Sequence, residues 1–288
     1  MTRDNIIESF VDELRSKDRS PSTIIAYKKD IDQLQEFLLQ QKSDLLTTDS
    51  DELELFIQHL IRNENYSLKT VSRKINTLKT LFKFLFENKH TKLNHAEVIQ
   101  HPDFETKQPR ILAALEYKAL RDTVRGNLRL HTMIEILLQT GIRIGELSRM
   151  KITDLSKGFR TLKIESYASN PERKIELNEA AVKAIEKWLA HRPSVRNDQG
   201  YVFPTKSGRS VIIRNIRTSI NRSFKKVGIK NATVNDIRNT FVVFQLENGV
   251  RIEKVAHAVG HQRLSSTEKY TELLEKPYTA KLQKIQVL

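Results

Sequence analysis

The side chains best suited to chemistry in this sequence are a histidine and a tyrosine nine positions apart, together with two arginines. His261 and Tyr270 lie in the polar run GHQRLSSTEKY. Arg143 follows a helix-ending glycine in TGIRIGEL, and Arg238 lies at the head of a helical pattern in NDIRNTF. Guanidinium forks fit a phosphate and stay protonated at neutral pH. A phenol with an unperturbed pKa of about 10 needs help to lose its proton, and histidine can accept one. These residue types suit displacement at a phosphodiester.

The surroundings of Tyr270 predict an exposed side chain. Residues 260–270 are hardly apolar, so the ring has few neighbours to pack against. We expect its hydroxyl to reach toward a phosphate and not into a core. A half-exposed surface tyrosine without a chemical role is the alternative. Tyr278, which follows Pro277 eight residues further on, is a rival nucleophile.

Composition favours a polyanionic partner. The chain has 288 residues and a formal net charge of +14, and basic residues recur inside segments with helical patterns, such as RKINTLKTLFK and RNIRTSINRSFKK. Neutralising phosphates with lysine and arginine releases counterions, so nucleic acid is favoured over acidic lipid. The chain has no cysteine, which excludes disulfides and thiolate metal sites. No apolar run approaches the roughly 20 residues of a membrane span, and we expect a cytoplasmic, nucleoid-associated protein.

Helical spacing dominates the sequence and predicts a mainly α fold with a small β-sheet. The stretch NKHTKLNHAEVIQHPDFETKQPRIL breaks the periodicity, which predicts an N-terminal domain at 1–100, a linker at 101–107 and a C-terminal domain at 108–288. Within the second domain, LKIES and RKIEL flank the turn signal SNP and predict a β-hairpin near 160–178. One helix beginning at Ser67 carries the candidate DNA-contacting residues Lys69, Arg73, Lys74 and Lys79.

Three segments resemble the tyrosine recombinase family, the phage-integrase and Xer-like enzymes. That family carries T-G-[LI]-R-x-x-E-[LI], then H-x-[LI]-R-H-T-F, then L-G-H with a tyrosine nine residues later. The matching residues here are Arg143, Arg238, His261 and Tyr270, in that order and with the last spacing kept. SPSTIIAYKKDIDQLQEFL resembles the start of the family's N-terminal domain. The resemblance implies a SAM-like helical bundle followed by the catalytic domain, as a two-domain C-shaped DNA clamp.

The resemblance also implies roles for these residues. Arg143 and Arg238 would hold the phosphate, while Tyr270 would attack it to form a 3′-phosphotyrosyl link. His261 would accept the phenolic proton or bind a phosphate oxygen. Glu146, three residues after Arg143, is expected from its position to orient an arginine or cap a helix. The implied reaction needs no metal or cofactor. It exchanges strands between paired inverted-repeat sites of double-stranded DNA through a four-way junction, in a homotetramer that accessory proteins can assist.

Two positions depart from the family pattern. Asn235 stands where the family most often has histidine, three residues before Arg238, and asparagine cannot transfer a proton at pH 7. The family's hairpin lysine, which protonates the departing 5′-oxygen, is missing from the turn ESYASNPE. Lys163 and Lys174 flank that turn, and Lys174 is the preferred candidate. These departures keep open a catalytically weak DNA-binding protein on the same scaffold, and a type IB topoisomerase is a further alternative.

The remaining expectations concern the biological task of the protein, metal binding and the C-terminal tail. The compact length favours a Xer-like or transposon-resolution task, including cointegrate resolution, over integration. His257 and His261 are four apart, but a helix end at Gly260 and the absence of a nearby carboxylate argue against a shared metal. The tail after Tyr270 is expected to dock on a neighbouring protomer through the apolar residues Leu273, Leu274, Leu282 and Ile285.

Overall fold

The computed structural model describes residues 3–63, 65–105, 107–168, 170–280 and 284–288. Two compact units divide the chain, Met1–Lys107 and Gln108–Leu288. The boundary falls where the helical periodicity of the sequence breaks. The prediction of a mainly helical fold with a small β-sheet is confirmed. None of the helices in the described ranges is long and apolar enough to cross a lipid bilayer.

The N-terminal unit is a bundle of helices whose starts are encoded locally. Its helices are α1 (Arg3–Ser16), α2 (Pro21–Gln40), α3 (Ser50–Arg62) and α4 (Leu68–Glu87). Ser20 caps α2 by accepting a hydrogen bond from the Thr23 amide, and Pro21 is the first helical residue. Asp49 and Glu52 form a capping box at the start of α3. Apolar residues three and four apart on these helices then form one buried core, as amphipathic helices require.

The C-terminal unit is larger and is built around one buried helix. Its elements are α5 (Ala114–Thr123), α6 (Leu128–Thr140), α7 (Ile144–Arg149), β1 (Thr161–Ile164), β2 (Arg173–Glu176), α8 (Glu179–His191), α9 (Ile213–Lys226), α10 (Val234–Glu247), α11 (Ile252–Val259) and α12 (Ser265–Glu268). Every residue of α6 from Thr132 to Thr140 is buried. α6 packs against α8 and α10, so it fixes the elements that carry the site.

The β-hairpin has one buried and one exposed face. β1 and β2 pair antiparallel, with Lys163 opposite Lys174 and Ile164 opposite Arg173. Side chains alternate between the faces of a strand. The buried face therefore carries Ile164, Ile175 and Arg173, while Lys174 is exposed.

Gly141 ends α6 and sets the direction of the chain into α7. Its φ of +61° is left-handed, a conformation that glycine adopts without the penalty of a Cβ. A Cβ at this position would lie 2.4 Å from Cδ1 of Phe241. Glycine is therefore required for two reasons, the backbone angle and the close approach of α10.

The C-terminal tail packs on the unit that carries it, and its docking on a neighbouring protomer stays a prediction. The Gln286 amide donates to Oε1 of Gln245 at 2.7 Å, and Nε2 of Gln245 donates to the Gln286 carbonyl at 2.9 Å. Leu288 is buried and exchanges two hydrogen bonds with the Gln139 side chain. The predicted apolar residues Leu273, Leu274 and Ile285 pack against the same core, and Leu282 lies outside the described residues.

Candidate active site

The carboxylate of Glu146, three residues later in the chain, holds Arg143 at the start of α7. The Arg143 backbone amide donates to Oε2 of Glu146 at 2.8 Å, and one guanidinium nitrogen donates to Oε1 of Glu146 at 3.2 Å. The other terminal nitrogen donates to the Gly260 carbonyl at 2.8 Å. The side chain is still 37% exposed, so a ligand can reach the guanidinium.

Glu146 is shared with a second arginine that the sequence analysis did not identify. Arg173 on β2 donates to both oxygens of Glu146, each at 2.8 Å, and its Nε donates to the Ala258 carbonyl at 3.1 Å. Burial raises the pKa of Glu146, but hydrogen bonds from Arg173 and the charge of Arg143 bring it below its usual range. One signal in the sequence could have identified Arg173. It is a charged residue at an inward-facing position of β2, where the other inward-facing residue is apolar.

Arg238 lies on α10 and donates to the Gly141 carbonyl at 2.6 Å. Burial, with Arg143 and Arg173 nearby, lowers the pKa of Arg238 to about 9. The group remains protonated at neutral pH, and an anion would relieve both the desolvation and the like-charge repulsion. Three arginines surround the single carboxylate of Glu146, so this cluster carries two more positive than negative charges. The geometry is that of an anion site.

His261 follows the end of α11 and is kept uncharged. Gly260 adopts a left-handed φ of +72°, and a Cβ there would lie 2.7 Å from the guanidinium carbon of Arg173. The turn thus brings the next residue, His261, beside the arginines. Burial, followed by the charges of Arg238 and Arg143, lowers the pKa of His261 to about 4. The imidazole is therefore neutral at pH 7 and can accept a proton.

Tyr270 is buried, contrary to the expectation from its polar neighbours. The residue is 6% exposed and belongs to the core of the C-terminal unit. Its hydroxyl donates to Oδ1 of Asn239 on α10 at 2.8 Å, and its ring lies parallel to that of His261 with centroids 6.4 Å apart. Burial raises the pKa of Tyr270. The nucleophile candidate is next to Arg238 and His261, but its hydroxyl is bonded to Asn239.

The structure does not bring every candidate to this cluster. Lys174 lies on the exposed face of the hairpin, where its carbonyl, and not its ammonium, contacts Nε2 of His257 at 3.1 Å. Lys163 shares that face and pairs with Glu172 at 2.9 Å. Asn235 is exposed in the first turn of α10. The rival nucleophile Tyr278 donates to the Val250 carbonyl.

The candidate DNA-contacting residues of α4 separate into exposed and buried groups. Lys69 is exposed, Lys79 is half-buried, and Arg73 is 46% exposed although it pairs with Asp30. The prediction that Lys74 contacts DNA is wrong, because its ammonium is buried and donates to Asp30 at 2.7 Å. Further exposed basic residues, not predicted from the sequence as DNA contacts, lie on α9: Arg214, Arg217, Arg222, Lys225 and Lys226.

The described ranges contain no group of three or more histidine, aspartate or glutamate side chains arranged to hold a metal ion. His257 and His261 diverge after Gly260 ends α11. His257 contacts the Lys174 carbonyl, and Nδ1 of His261 forms a hydrogen bond with Oγ1 of Thr267 at 2.7 Å. The two histidines therefore have separate partners.

Comparison with known proteins identifies both units. The model of the phage integrase family matches residues 106–276, and that of the phage integrase N-terminal SAM-like domain matches 7–89. The tyrosine recombinase XerD of Rickettsia prowazekii is 30% identical over 88% of this chain and 88% of its own length. XerC of Staphylococcus haemolyticus is 28% identical over 88% of this chain and 87% of its own. In fold, a lambda integrase dimer bound to a core site matches with a TM-score of 0.75 at 18% identity, covering 99% of this chain and 100% of that one.

Proposed function

The chain belongs to the phage integrase family and is a site-specific tyrosine recombinase, and on that premise we propose that Tyr270 is its nucleophile. The phenolic oxygen attacks a phosphodiester of double-stranded DNA, the bond from phosphorus to the 5′-oxygen breaks, and a 3′-phosphotyrosyl link forms. Attack by the freed 5′-hydroxyl of a partner strand reverses these steps. The link conserves the energy of the phosphodiester, so joining needs no external energy source.

The observation that carries this proposal is the cluster of arginines beside Tyr270. Displacement at phosphorus places additional negative charge on the non-bridging oxygens. Arg143 and Arg238 present guanidinium forks that match those oxygens. The partial exposure of Arg143 and the lowered pKa of Arg238 both favour an incoming anion. Preorganised donors of this kind typically contribute a factor of about 10²–10³ each to the rate.

In this proposal His261 takes the phenolic proton, and its ring lies beside that of Tyr270. Its imidazole is neutral because burial and the arginines lower its pKa to about 4, and a bound phosphate would raise that pKa by cancelling the arginine charges. Transfer therefore becomes easier once DNA is bound. Tyr270 must first leave Asn239, because its hydroxyl donates there. Delivery of a proton to the leaving 5′-oxygen by Lys174 requires the hairpin to move, since that lysine lies on the exposed face.

Strand exchange is proposed to occur between two sites with inverted repeats, in a homotetramer and through a four-way junction. Two solved neighbours are complexes with DNA, which supports DNA binding by this chain: the lambda integrase dimer bound to a core site, and the Tn1549 transposon integrase in complex with circular intermediate DNA. The second has a TM-score of 0.75 at 18% identity. Transposition or cointegrate resolution, assisted by accessory proteins, is the proposed setting, in the nucleoid of the cytoplasm.

We propose DNA-contacting residues for each unit separately: the exposed basic residues of α9 in the C-terminal unit, and Lys69 and Arg73 of α4 in the N-terminal unit. The basic side chains of α9 have no acidic neighbour within that helix, whose sequence contains neither aspartate nor glutamate. Each phosphate they neutralise should reduce log affinity by about 0.9 per log unit of salt. A gel-shift titration at several salt concentrations measures that slope, and a flat response would contradict the interface.

A nicked suicide duplex tests the proposal. The duplex carries the sequence that the wild-type chain enriches from a random library, and its nick lies on the 3′ side of the cleavage site. Cleavage leaves Tyr270 on the 3′-phosphate and releases the short fragment that carries the free 5′-hydroxyl, and the loss of that fragment traps the covalent link. Wild-type protein should form an adduct that survives SDS, Tyr270→Phe should form none, and Tyr278→Phe should react as wild type. A salt-sensitive shift without an adduct would instead identify the catalytically weak DNA-binding protein.

A further inference from the structure

We propose that Arg173 is a positioning residue that occupies the bidentate position on the Glu146 carboxylate, which keeps the Arg143 guanidinium from pairing bidentately there and leaves its fork available to the phosphate. The inference rests on the proposed function of the same site. It adds a residue that neither the motifs nor the family comparison singled out. Arg173 itself is too enclosed to touch DNA, because its side chain is 4% exposed.

The Glu146 carboxylate accepts more hydrogen bonds, and shorter ones, from the Arg173 guanidinium than from the Arg143 guanidinium. Arg173 makes two hydrogen bonds to the carboxylate, one to each oxygen and each at 2.8 Å. The Arg143 guanidinium makes one, at 3.2 Å. Bidentate pairing between a guanidinium and a carboxylate is the strongest arrangement available to either group. Arg173 occupies that arrangement, and Arg143 is left with its longer, single bond.

The same side chain ties the hairpin to the turn that bears His261. Nε of Arg173 donates to the Ala258 carbonyl, while Arg143 donates to the Gly260 carbonyl two residues later. Both guanidiniums lie against Gly260, within 3.0 Å of where a Cβ would stand. The two arginines thus approach the turn side by side, and Glu146 lies between them.

Loss of the Arg173 charge would leave Glu146 buried, with its side chain 6% exposed and Arg143 as the cation already in contact. A buried carboxylate needs a counter-charge. Arg143, three residues away on the same turn, would rotate into the bidentate position. Its fork would then be withdrawn from the phosphate, although the protein remained folded and Arg143 was unchanged.

The test measures single-turnover adduct formation on the nicked duplex at saturating protein, alongside DNA affinity by gel shift. Arg173→Met should slow adduct formation by about 10²-fold, the effect of losing one transition-state donor, with little change in affinity. Arg173→Lys keeps the charge without the fork, so it should be slowed by about 10-fold. The double variant Glu146→Gln/Arg173→Met removes the competing charge as well, and should recover at least about 10-fold over Arg173→Met.

Arg192→Met is the matched control. Arg192 also pairs bidentately with a carboxylate, Asp198, at 2.7 Å for both bonds, with a side chain 9% exposed. Its loss should leave adduct formation unchanged. If the double variant forms adduct as slowly as Arg173→Met, the role of Arg173 is purely structural and the inference is overturned. An adduct rate for Arg173→Met within about threefold of wild type would overturn it as well. Wild-type protein that forms no adduct would overturn the proposed function itself, and this inference with it.

Discussion

Replacing Asn239 with alanine should speed covalent adduct formation, because the Tyr270 hydroxyl must leave Asn239 before it can attack. The bond is 2.8 Å long, and Nδ2 of Asn239 points to Asp236 and to the Arg110 carbonyl, both at 3.3 Å. These contacts turn the amide oxygen toward the phenol. A hydrogen bond of this type contributes about 0.5–1.5 kcal/mol net, so its loss should raise the rate about 2- to 12-fold.

The assay is single-turnover trapping on the nicked duplex, with Asn239→Asp as the opposing control. A carboxylate accepts the hydroxyl hydrogen more strongly than an amide, so that variant should be slower than wild type. In urea unfolding, a double-mutant cycle of Asn239→Ala with Tyr270→Phe should give a coupling free energy of about 0.5–1.5 kcal/mol. Slower adduct formation by Asn239→Ala at unchanged DNA affinity would refute the reasoning, as would coupling below about 0.3 kcal/mol.

Three further predictions concern pH, the N-terminal unit and the tail. Because the folded pKa of His261, about 4, lies below its unfolded value of about 6.5, the unfolded chain binds the extra proton and stability falls as pH drops between these values. His261→Gln should flatten that loss, measured as the unfolding midpoint of the C-terminal unit across the same range. Asp30→Ala should lower the free energy of unfolding in urea by about 3–5 kcal/mol, because it leaves the buried Lys74 ammonium without its counter-charge. Lys69→Ala, the exposed control, should change that free energy by less than about 0.5 kcal/mol. It should instead reduce the salt slope of DNA binding by about 0.9. Deleting residues 285–288 removes the buried Leu288 side chain, whose burial contributes about 1.5–3 kcal/mol to the free energy of unfolding. The melting temperature should fall by about 2–4 °C for each kcal/mol lost. An unchanged melting temperature would contradict packing of the tail on its own unit.

Local signals in the sequence were sufficient for the elements of both units. Ser20 caps α2 and Asp49 caps α3 through hydrogen bonds from amides three residues later, so both helix starts depend on residues close together in the sequence. The two β-like runs around SNP likewise predict the hairpin that the structure shows at β1 and β2. These interactions are short in sequence, so residue type and spacing contain them.

Contacts between distant segments decided the environment of the site. Tyr270 has polar neighbours in the chain, yet α10, about 30 residues earlier, buries its ring and accepts its hydroxyl hydrogen. Lys74 has the spacing of a surface lysine, but a buried aspartate on α2 draws it inward. Arg173 joins the site only because the hairpin lies against the end of α11.

The sequence by itself determined which groups could do chemistry, since an arginine fork, an imidazole and a phenol are properties of residue type. It also determined the order of those groups along the chain. Only the tertiary structure decided the charge state of His261, the accessibility of Tyr270 and the partner of Glu146. The physical reason is that desolvation and Coulomb interactions depend on distances through space, and residues 27 to 117 positions apart meet in this cluster.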